Sequence, residues 1–346
     1  MTTTTGGPAR AGTDVRNINV SQCVAESLRL EMERDDRVVV FGEDVGLQGG
    51  VFGSTRGLQK AFGRDRVRDT PISEMAFTGA AVGLAMEGYR PVVEIMFVDF
   101  IGVCLEQVYN AAAKIRYMTG GRVGMPMVIK TAGGCIGSAA QHSQCLWGTF
   151  AHLPGLQVVA PSSPYDSKGL MAAAVRSDDP VVFIEHKGLL LQKAGTFTHG
   201  AQVPKESYTV PLGQASVVRP GSDLTLVTIS ATVGESLHAA EELAREGVDV
   251  EVIDLRSVVP LDLDTVCASV ARTGRLLVVD EDYLGFGLSG EVVTGVVERL
   301  GTRALSQVAR HGTPDVPVPA ALSLEQAVVP RRASIAQAVR DMGRAS

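Results

Sequence analysis

The segment that decides the fold is VRDTPISEMAFTGAAVGLAM, residues 67–86. A short strand over Val67–Asp69 runs into a proline turn, and Glu74 then begins a helix that reaches Met86. In α/β sheets, ligands bind at the carboxyl ends of the strands. Small residues dominate the helix, so another backbone or a flat ligand can approach it closely. Glu74 is therefore a candidate site residue. Alternatively, it is an N-terminal helix acid stabilised by the helix dipole, worth a few tenths to about 1 kcal/mol.

Apolar strands alternate with helical patterns along most of the chain, which is typical of a parallel sheet with helices on both faces. The first series contains a long helix that stops at Gly120 and Gly121, and it ends with a strand over 181–185. A stretch rich in Gly, Thr, Lys and Pro then predicts a linker. We predict a disordered leader over 1–16, a doubly wound domain over 17–190, a linker over 191–211 and a smaller α/β domain over 212–346.

Composition excludes several classes of protein. The net charge of −6 offers no basic face for nucleic acid or an acidic membrane. No apolar run reaches the roughly 18–20 residues of a membrane span, and the N-terminus has no apolar core typical of a secretory signal. The five cysteines include no CxxC pair. An odd number of cysteines in a large chain favours reduced thiols and a cytoplasmic location.

The motifs of several common enzyme classes are absent from the sequence. The glycine-rich loops at 46–53 and 131–137 match neither GxGxxG nor the P-loop, so nucleotide binding is poorly supported. No HExxH motif or His/Cys cluster indicates zinc. The GxSxG turn expected of a serine hydrolase is also missing.

Five blocks resemble, in the same order, the β subunits of thiamine-diphosphate-dependent 2-oxo acid dehydrogenases of the pyruvate, acetoin and branched-chain types. The blocks are residues 69–75, 96–121, 139–144, 154–181 and 254–262. The resemblance extends from about residue 17 to residue 342. It implies a doubly wound, transketolase-like pyrimidine-binding domain followed by a smaller α/β transketolase C-terminal domain.

The resemblance also implies a role for Glu74. In this family thiamine diphosphate carries the difficult chemistry, and its own amino group becomes a base only when an acid holds pyrimidine N1′. Glu74 matches that acid. We expect burial to raise the pKa of Glu74 against the opposing influence of the helix N-terminus. Met96 and Phe100 match residues that pack against the aminopyrimidine ring, although both also suit the core at a strand end.

Further residues match functional positions of the family. Glu43 and Glu106 match acids of a buried relay between two active sites, whose carboxylates titrate as a set; a loop acid and a solvated helix acid are the alternatives. His142 matches the histidine that steadies the substrate-derived intermediate and assists transfer to a lipoyl group, whereas a lone histidine is more often structural. Carbonyls of the segment 174–179 match a monovalent-cation (K⁺) site of some relatives, and the matching residues are Ala174, Val175, Ser177 and Asp179. An acidic residue of those relatives is replaced here by Ser177.

The sequence contains no Gly-Asp-Gly segment, through which enzymes of this class bind the diphosphate by way of Mg²⁺. The resemblance therefore implies that an α subunit holds Mg²⁺ and the diphosphate in an α2β2 assembly. It implies cleavage of a 2-oxo acid or acetoin and reductive acylation of the lipoyl group of an E2 acyltransferase. Through E2, the resemblance also implies E3 as a further partner. The block at 96–121 is most similar to acetoin dehydrogenases. The alternatives are a transketolase-like carboligase that does not use lipoamide and a non-catalytic scaffold.

Overall fold

A computed structural model describes residues 15–344 and contains two α/β units. In the first unit the strands are β1 (Val38–Gly42), β2 (Val67–Asp69), β3 (Arg90–Ile95), β4 (Val128–Gly133), β5 (Gln157–Val159) and β6 (Val181–His186). Its helices are α1 (Val20–Arg34), α2 (Leu58–Phe62), α3 (Glu74–Met86), α4 (Ile115–Met118), α5 (Trp147–Ala151), α6 (Pro164–Arg176) and α7 (Lys187–Leu190). Residues 1–14 of the predicted leader lie outside the described residues.

The second unit contains β7 (Ser216–Arg219), β8 (Leu224–Thr228), β9 (Val250–Asp254), β10 (Ser257–Val259), β11 (Arg275–Tyr283) and β12 (Gln307–Thr313). Its helices are α8 (Thr232–Ala244), α9 (Leu263–Thr273), α10 (Leu288–Leu300), α11 (Leu322–Val328) and α12 (Arg332–Arg344). The strand order is β10-β5-β6-β4-β3-β1-β2 in one sheet and β12-β11-β8-β9-β7 in the other. All neighbouring strands are parallel except at β10 and β7, which pair antiparallel with β5 and β9. Strand β10 thus joins the second unit to the first sheet.

The parallel strands are near-continuous apolar runs because helices cover both faces of the sheet. In β4, all six residues are buried, and the same is true of β6. Since β1 to β6 run in one direction, their carboxyl ends meet at one edge of the sheet, which we call the carboxyl edge. At this edge the Asp69 carboxylate accepts hydrogen bonds from the N–H groups of Gly46 (2.6 Å) and Leu47 (3.3 Å) and so holds the glycine-rich loop.

The long helix predicted up to Gly120 is broken into three pieces. A 3₁₀ helix over Val98–Cys104 precedes a π-helical segment over Gln107–Ala112, and α4 follows. A π-helical turn accommodates one additional residue. Here it keeps Val108 and Ala112 buried while the backbone of Gly155 lies against the following turn. A Cβ atom at Gly155 would come within 1.9 Å of the carbonyl oxygen of Ala113 in that turn.

A buried lysine links three neighbouring strands. The Lys130 ammonium on β4 lies 3.0 Å from the Glu94 carboxylate on β3 and 2.6 Å from the Glu185 carboxylate on β6. Burial disfavours the charged ammonium, but the two carboxylates hold the pKa of Lys130 above its ordinary value. Burial raises the pKa of Glu185, to which the Ser54 hydroxyl donates a hydrogen bond of 3.0 Å. Lys130 is therefore the counter-charge of two buried acids.

The substitution Lys130→Met will destabilise the fold by about 3–5 kcal/mol, because it leaves two buried carboxylates without their counter-charge. Denaturant-induced unfolding followed by circular dichroism measures the loss. Arg29→Ala is the control, since Arg29 pairs with Glu33 on the exposed surface, where such pairs contribute about 0–1 kcal/mol. A loss in Lys130→Met no greater than in the control would contradict this account.

Two buried carboxylates meet where the units join. Asp166 lies in the first turn of α6 in the first unit, Asp254 ends β9 in the second, and the His199 imidazole lies beside both. The Arg256 guanidinium pairs with Asp166 at 2.8 Å, and the Ser162 hydroxyl donates to Asp254. Burial, followed by the neighbouring Asp166 carboxylate, raises the pKa of Asp254 to about 7.

Asp254 will make the native state less stable as the pH rises. Its pKa is about 7 in the native state against an ordinary value of 3.8, so the native state binds the additional proton between these values. The thermal midpoint of the wild type relative to Asp254→Asn will therefore fall by several degrees between pH 5 and pH 8. Asp315→Asn, at an exposed position, is the control and will show no such trend. A difference between wild type and Asp254→Asn that is constant with pH would rule out this origin.

Candidate functional site

Two acids lie together at the carboxyl edge. Glu43 follows β1 directly, and Glu74 is the first residue of α3, to which the proline turn after β2 leads. Both side chains are half-buried. Burial raises the pKa of Glu43, and the negative charges of Glu74 and Asp44 raise it further. The Oε1 atom of Glu43 is buried and has no hydrogen-bond partner among residues 15–344. Burial and the neighbouring carboxylate thus both favour the protonated form of Glu43, a form that can donate a hydrogen bond to a nitrogen base.

Four aromatic rings lie at the same edge of the sheet. Phe97 and Phe100 follow β3 and lie 5.3 Å apart between ring centroids. The imidazole of His142 lies 5.4 Å from each of them, edge to face, and Phe52 of the glycine-rich loop lies 5.8 Å from Phe97. Edge-to-face packing of this kind is favourable between aromatic rings. We call these four residues the aromatic enclosure.

The structure brings together four of the six predicted site residues: Glu43 with Glu74, and Phe100 with His142. Met96 follows β3 directly and is half-buried. Glu106 is exposed and accepts a hydrogen bond of 2.8 Å from Asn110. A proton relay from Glu43 to Glu106 stays a prediction.

The predicted monovalent-cation site already contains a positive charge. The Arg90 guanidinium donates to the carbonyl oxygens of Val175 (3.0 Å) and Ser177 (2.9 Å), and the Asp179 carboxylate pairs with Arg116. A guanidinium beside these carbonyls disfavours a second cation by like-charge repulsion. The donor set therefore does not fit K⁺, and we assign no function to such an ion.

Sequence reasoning missed the side chains behind His142. The Lys187 ammonium donates to the His142 carbonyl oxygen, and the Asp99 carboxylate accepts from the Gln144 backbone (3.3 Å) and side chain (2.9 Å). The position of Lys187, immediately after a buried strand of the sheet, was the available signal. Its contact with His142 joins residues 45 positions apart, which no local pattern indicates.

The helices within residues 15–344 include none that is long and apolar enough to cross a bilayer.

Comparisons with known proteins agree with this geometry. Residues 16–192 match the transketolase pyrimidine-binding domain, and residues 213–335 match the transketolase C-terminal domain. The chain is 42% identical over 336 residues to the acetoin:2,6-dichlorophenolindophenol oxidoreductase subunit beta of Cupriavidus necator, with 94% of this chain and 97% of that protein covered. It is 44% identical over 299 residues to the pyruvate dehydrogenase E1 component subunit beta of Bacillus subtilis, with 86% and 90% covered.

A solved structure supports the same fold. A split-gene transketolase, described as an inactive beta4 tetramer, is similar with a TM-score of 0.73 at 22% identity, covering 94% of this chain and 98% of that one. Together with the two domain matches, this confirms the predicted fold class.

Replacing Glu74 by Gln will lower the pKa of Glu43, because the substitution removes one of the charges that raise it. The change will be partial, since burial is the larger cause. Carbon-13 NMR of the side-chain carboxyl groups follows the titration, with the Glu43 signal assigned by its absence in Glu43→Gln. Glu87→Gln removes a charge at the exposed far end of α3 and is the matched control. Equal Glu43 midpoints in both variants would show that the two acids are not coupled.

Proposed function

Because this chain belongs to the β subunits of the transketolase-like, thiamine-diphosphate-dependent dehydrogenases of pyruvate and acetoin, we propose that it forms the pyrimidine-binding half of such an active site. In this proposal an α subunit completes an α2β2 enzyme that cleaves a 2-oxo acid or acetoin. The enzyme then reductively acylates the lipoyl group of an E2 acyltransferase. E2 passes the acyl group on, and E3 reoxidises the dihydrolipoyl group that remains. The observation that carries the proposal is the coupled pair Glu43 and Glu74 at the same edge of the sheet as the aromatic enclosure.

The residues of the carboxyl edge fit the pyrimidine end of the cofactor. Glu74 would hold N1′ by a hydrogen bond, and the unpartnered Oε1 atom of Glu43 supports a proton-sharing role for its neighbour. Met96 and Phe100 would flank the ring, and His142 would face the substrate. When bound, thiamine diphosphate supplies the nucleophilic carbon that attacks the substrate carbonyl. The chain's own task is to orient the ring, hold its proton and exclude water.

Exposed apolar side chains near Glu74 support the proposal of an α partner. Around the beginning of α3, Ile72 is 84% exposed and Met75 is 57% exposed, and Val103 on the adjacent 3₁₀ helix is 61% exposed. Contiguous exposed apolar surface is typical of protein interfaces. Glu74, which lies between Ile72 and Met75 in the sequence, is half-exposed. A partner that covers it would supply the dry surroundings expected of this acid, and would hold Mg²⁺ and the diphosphate.

The substrate is proposed as a class of compound, acetoin or a 2-oxo acid. Acetoin and pyruvate enzymes are similar to this chain at nearly equal identity, 42% and 44%. The segment over 96–121 favours acetoin, while most substrate contacts would come from the α subunit. We also propose a cytoplasmic setting, because all five cysteines are free and buried.

The test is reduction of 2,6-dichlorophenolindophenol by this chain with Mg²⁺ and thiamine diphosphate, with and without its α subunit. Acetoin, pyruvate and branched-chain 2-oxo acids are offered in parallel. We expect turnover only with α, and a loss of at least about 100-fold in Glu74→Gln. Glu87→Gln is the matched control and retains wild-type turnover.

Three outcomes would contradict the proposal. Turnover without α would overturn the shared active site, and unchanged turnover in an assembled Glu74→Gln complex would overturn the role of Glu74. No dye reduction by an assembled complex, together with carbon–carbon bond formation between two carbonyl substrates, would establish a carboligase instead.

A further inference from the structure

Lys187 is a buried charge at the candidate site and makes no ion pair within 4.0 Å among residues 15–344. It begins α7 directly after β6, and it is 5% exposed. Lysine is almost never buried unless its ammonium is partnered. Here the ammonium donates to the carbonyl oxygen of His142 and lies 5.1 Å from the centroid of the Phe97 ring. Both partners belong to the candidate site, so the buried ammonium of Lys187 stabilises the arrangement of the site itself.

The charges that face Lys187 come from several elements. Burial lowers the pKa of Lys187, and the Asp99 carboxylate is the strongest influence in the opposite direction. Weaker influences in that direction come from Cys145, Cys135 and Glu281. Asp99 lies on the 3₁₀ helix after β3, and its Oδ2 atom is buried without a hydrogen-bond partner among the described residues.

Lys187 and Asp99 hold the two ends of one short segment. Lys187 binds the carbonyl of His142, and Asp99 accepts from the backbone and side chain of Gln144. Between them Ser143 is buried. Backbone hydrogen bonds also act on this segment, from the Gly134 N–H to the Gln144 carbonyl oxygen (2.9 Å) and from the His142 N–H to the Ala139 carbonyl oxygen (3.3 Å). The contact of Lys187 is the side-chain contact made directly to the His142 backbone.

We propose that Lys187 is a positioning residue that, with Asp99, holds the His142 imidazole against Phe97 and Phe100. This inference rests on the proposed function where it concerns catalysis, because His142 acts on a substrate only if that function is correct. The position of the His142 ring does not depend on that function. A displacement of about 1 Å at a reacting group can cost about 100-fold in rate, so a loosened His142 loop would slow turnover without preventing substrate binding.

The first test uses the chain alone. In the wild type the carbon-bound ring protons of His142 lie beside two aromatic rings, so their NMR signals will be displaced from those of a free histidine. The His142 signals are assigned by their absence in His142→Gln. In Lys187→Met the displacement will collapse, and in Lys187→Arg, which keeps a charged donor, it will be largely restored. Lys193→Met changes an exposed lysine of the following segment and will leave the signals unchanged.

The second test uses the α2β2 complex. Lys187→Met will lower kcat roughly tenfold or more while KM stays within about twofold, and Lys187→Arg will recover most of the loss. Unchanged His142 signals in a folded Lys187→Met chain would overturn the proposal, as would a rise in KM alone. If Lys187→Met does not fold, the same NMR measurement on Asp99→Asn decides. Loss of the displacement of the His142 ring-proton signals supports the proposal, and signals like those of the wild type overturn it. Absence of turnover in the wild-type complex would refute the proposed function, while the NMR result would still decide the positioning role.

Discussion

Six parallel strands that end at one edge impose the constraint on which the rest of this structure depends. Because β1, β2 and β3 finish side by side, the residues that follow them meet although they are distant in sequence. Glu43 and Glu74 become neighbours in this way, and Phe97 comes to lie against the loop after β4 that carries His142. The carboxyl ends of such strands are where α/β sheets bind ligands, and the acids and aromatic rings at this edge suit a flat, protonatable heterocycle.

The sheet also sets the electrostatics of the first unit. Its interior contains both acids and bases, and two buried ammonium groups each serve more than one partner. Lys130 serves both Glu94 and Glu185, while Lys187 serves a backbone carbonyl and faces Asp99. Burial and a neighbouring carboxylate raise the pKa of Glu43 in the first unit, and the same two causes raise the pKa of Asp254 in the second. Low dielectric surroundings strengthen these electrostatic effects. Glu43, one of the residues affected, belongs to the candidate site.

The second unit is tied to the first by more than the chain. Strand β10 extends the first sheet, and the Glu281 carboxylate of β11 binds both the backbone of Cys135 (2.6 Å) and the imidazole of His186 (3.0 Å). Burial would favour the neutral acid, but His186 and the Cys135 N–H hold the pKa of Glu281 at about 2. These contacts hold Cys135 in the loop after β4, the loop that leads to His142. The face around α3 lacks such cover and exposes Ile72 and Met75, as expected of a surface that another subunit completes.

The sequence by itself determined the local elements and the family. The strand Val67–Asp69 and the helix from Glu74 to Met86 lie where the pattern predicts them, because a proline turn, small residues and a terminal glycine act within a few positions. Only the tertiary structure decided which side chains share the site. The break of the long helix after β3, the crossing of β10 and the contact between Lys187 and His142 depend on backbone segments far apart in sequence. Their approach follows from how the whole sheet packs, and no periodicity or motif within a short window contains that information.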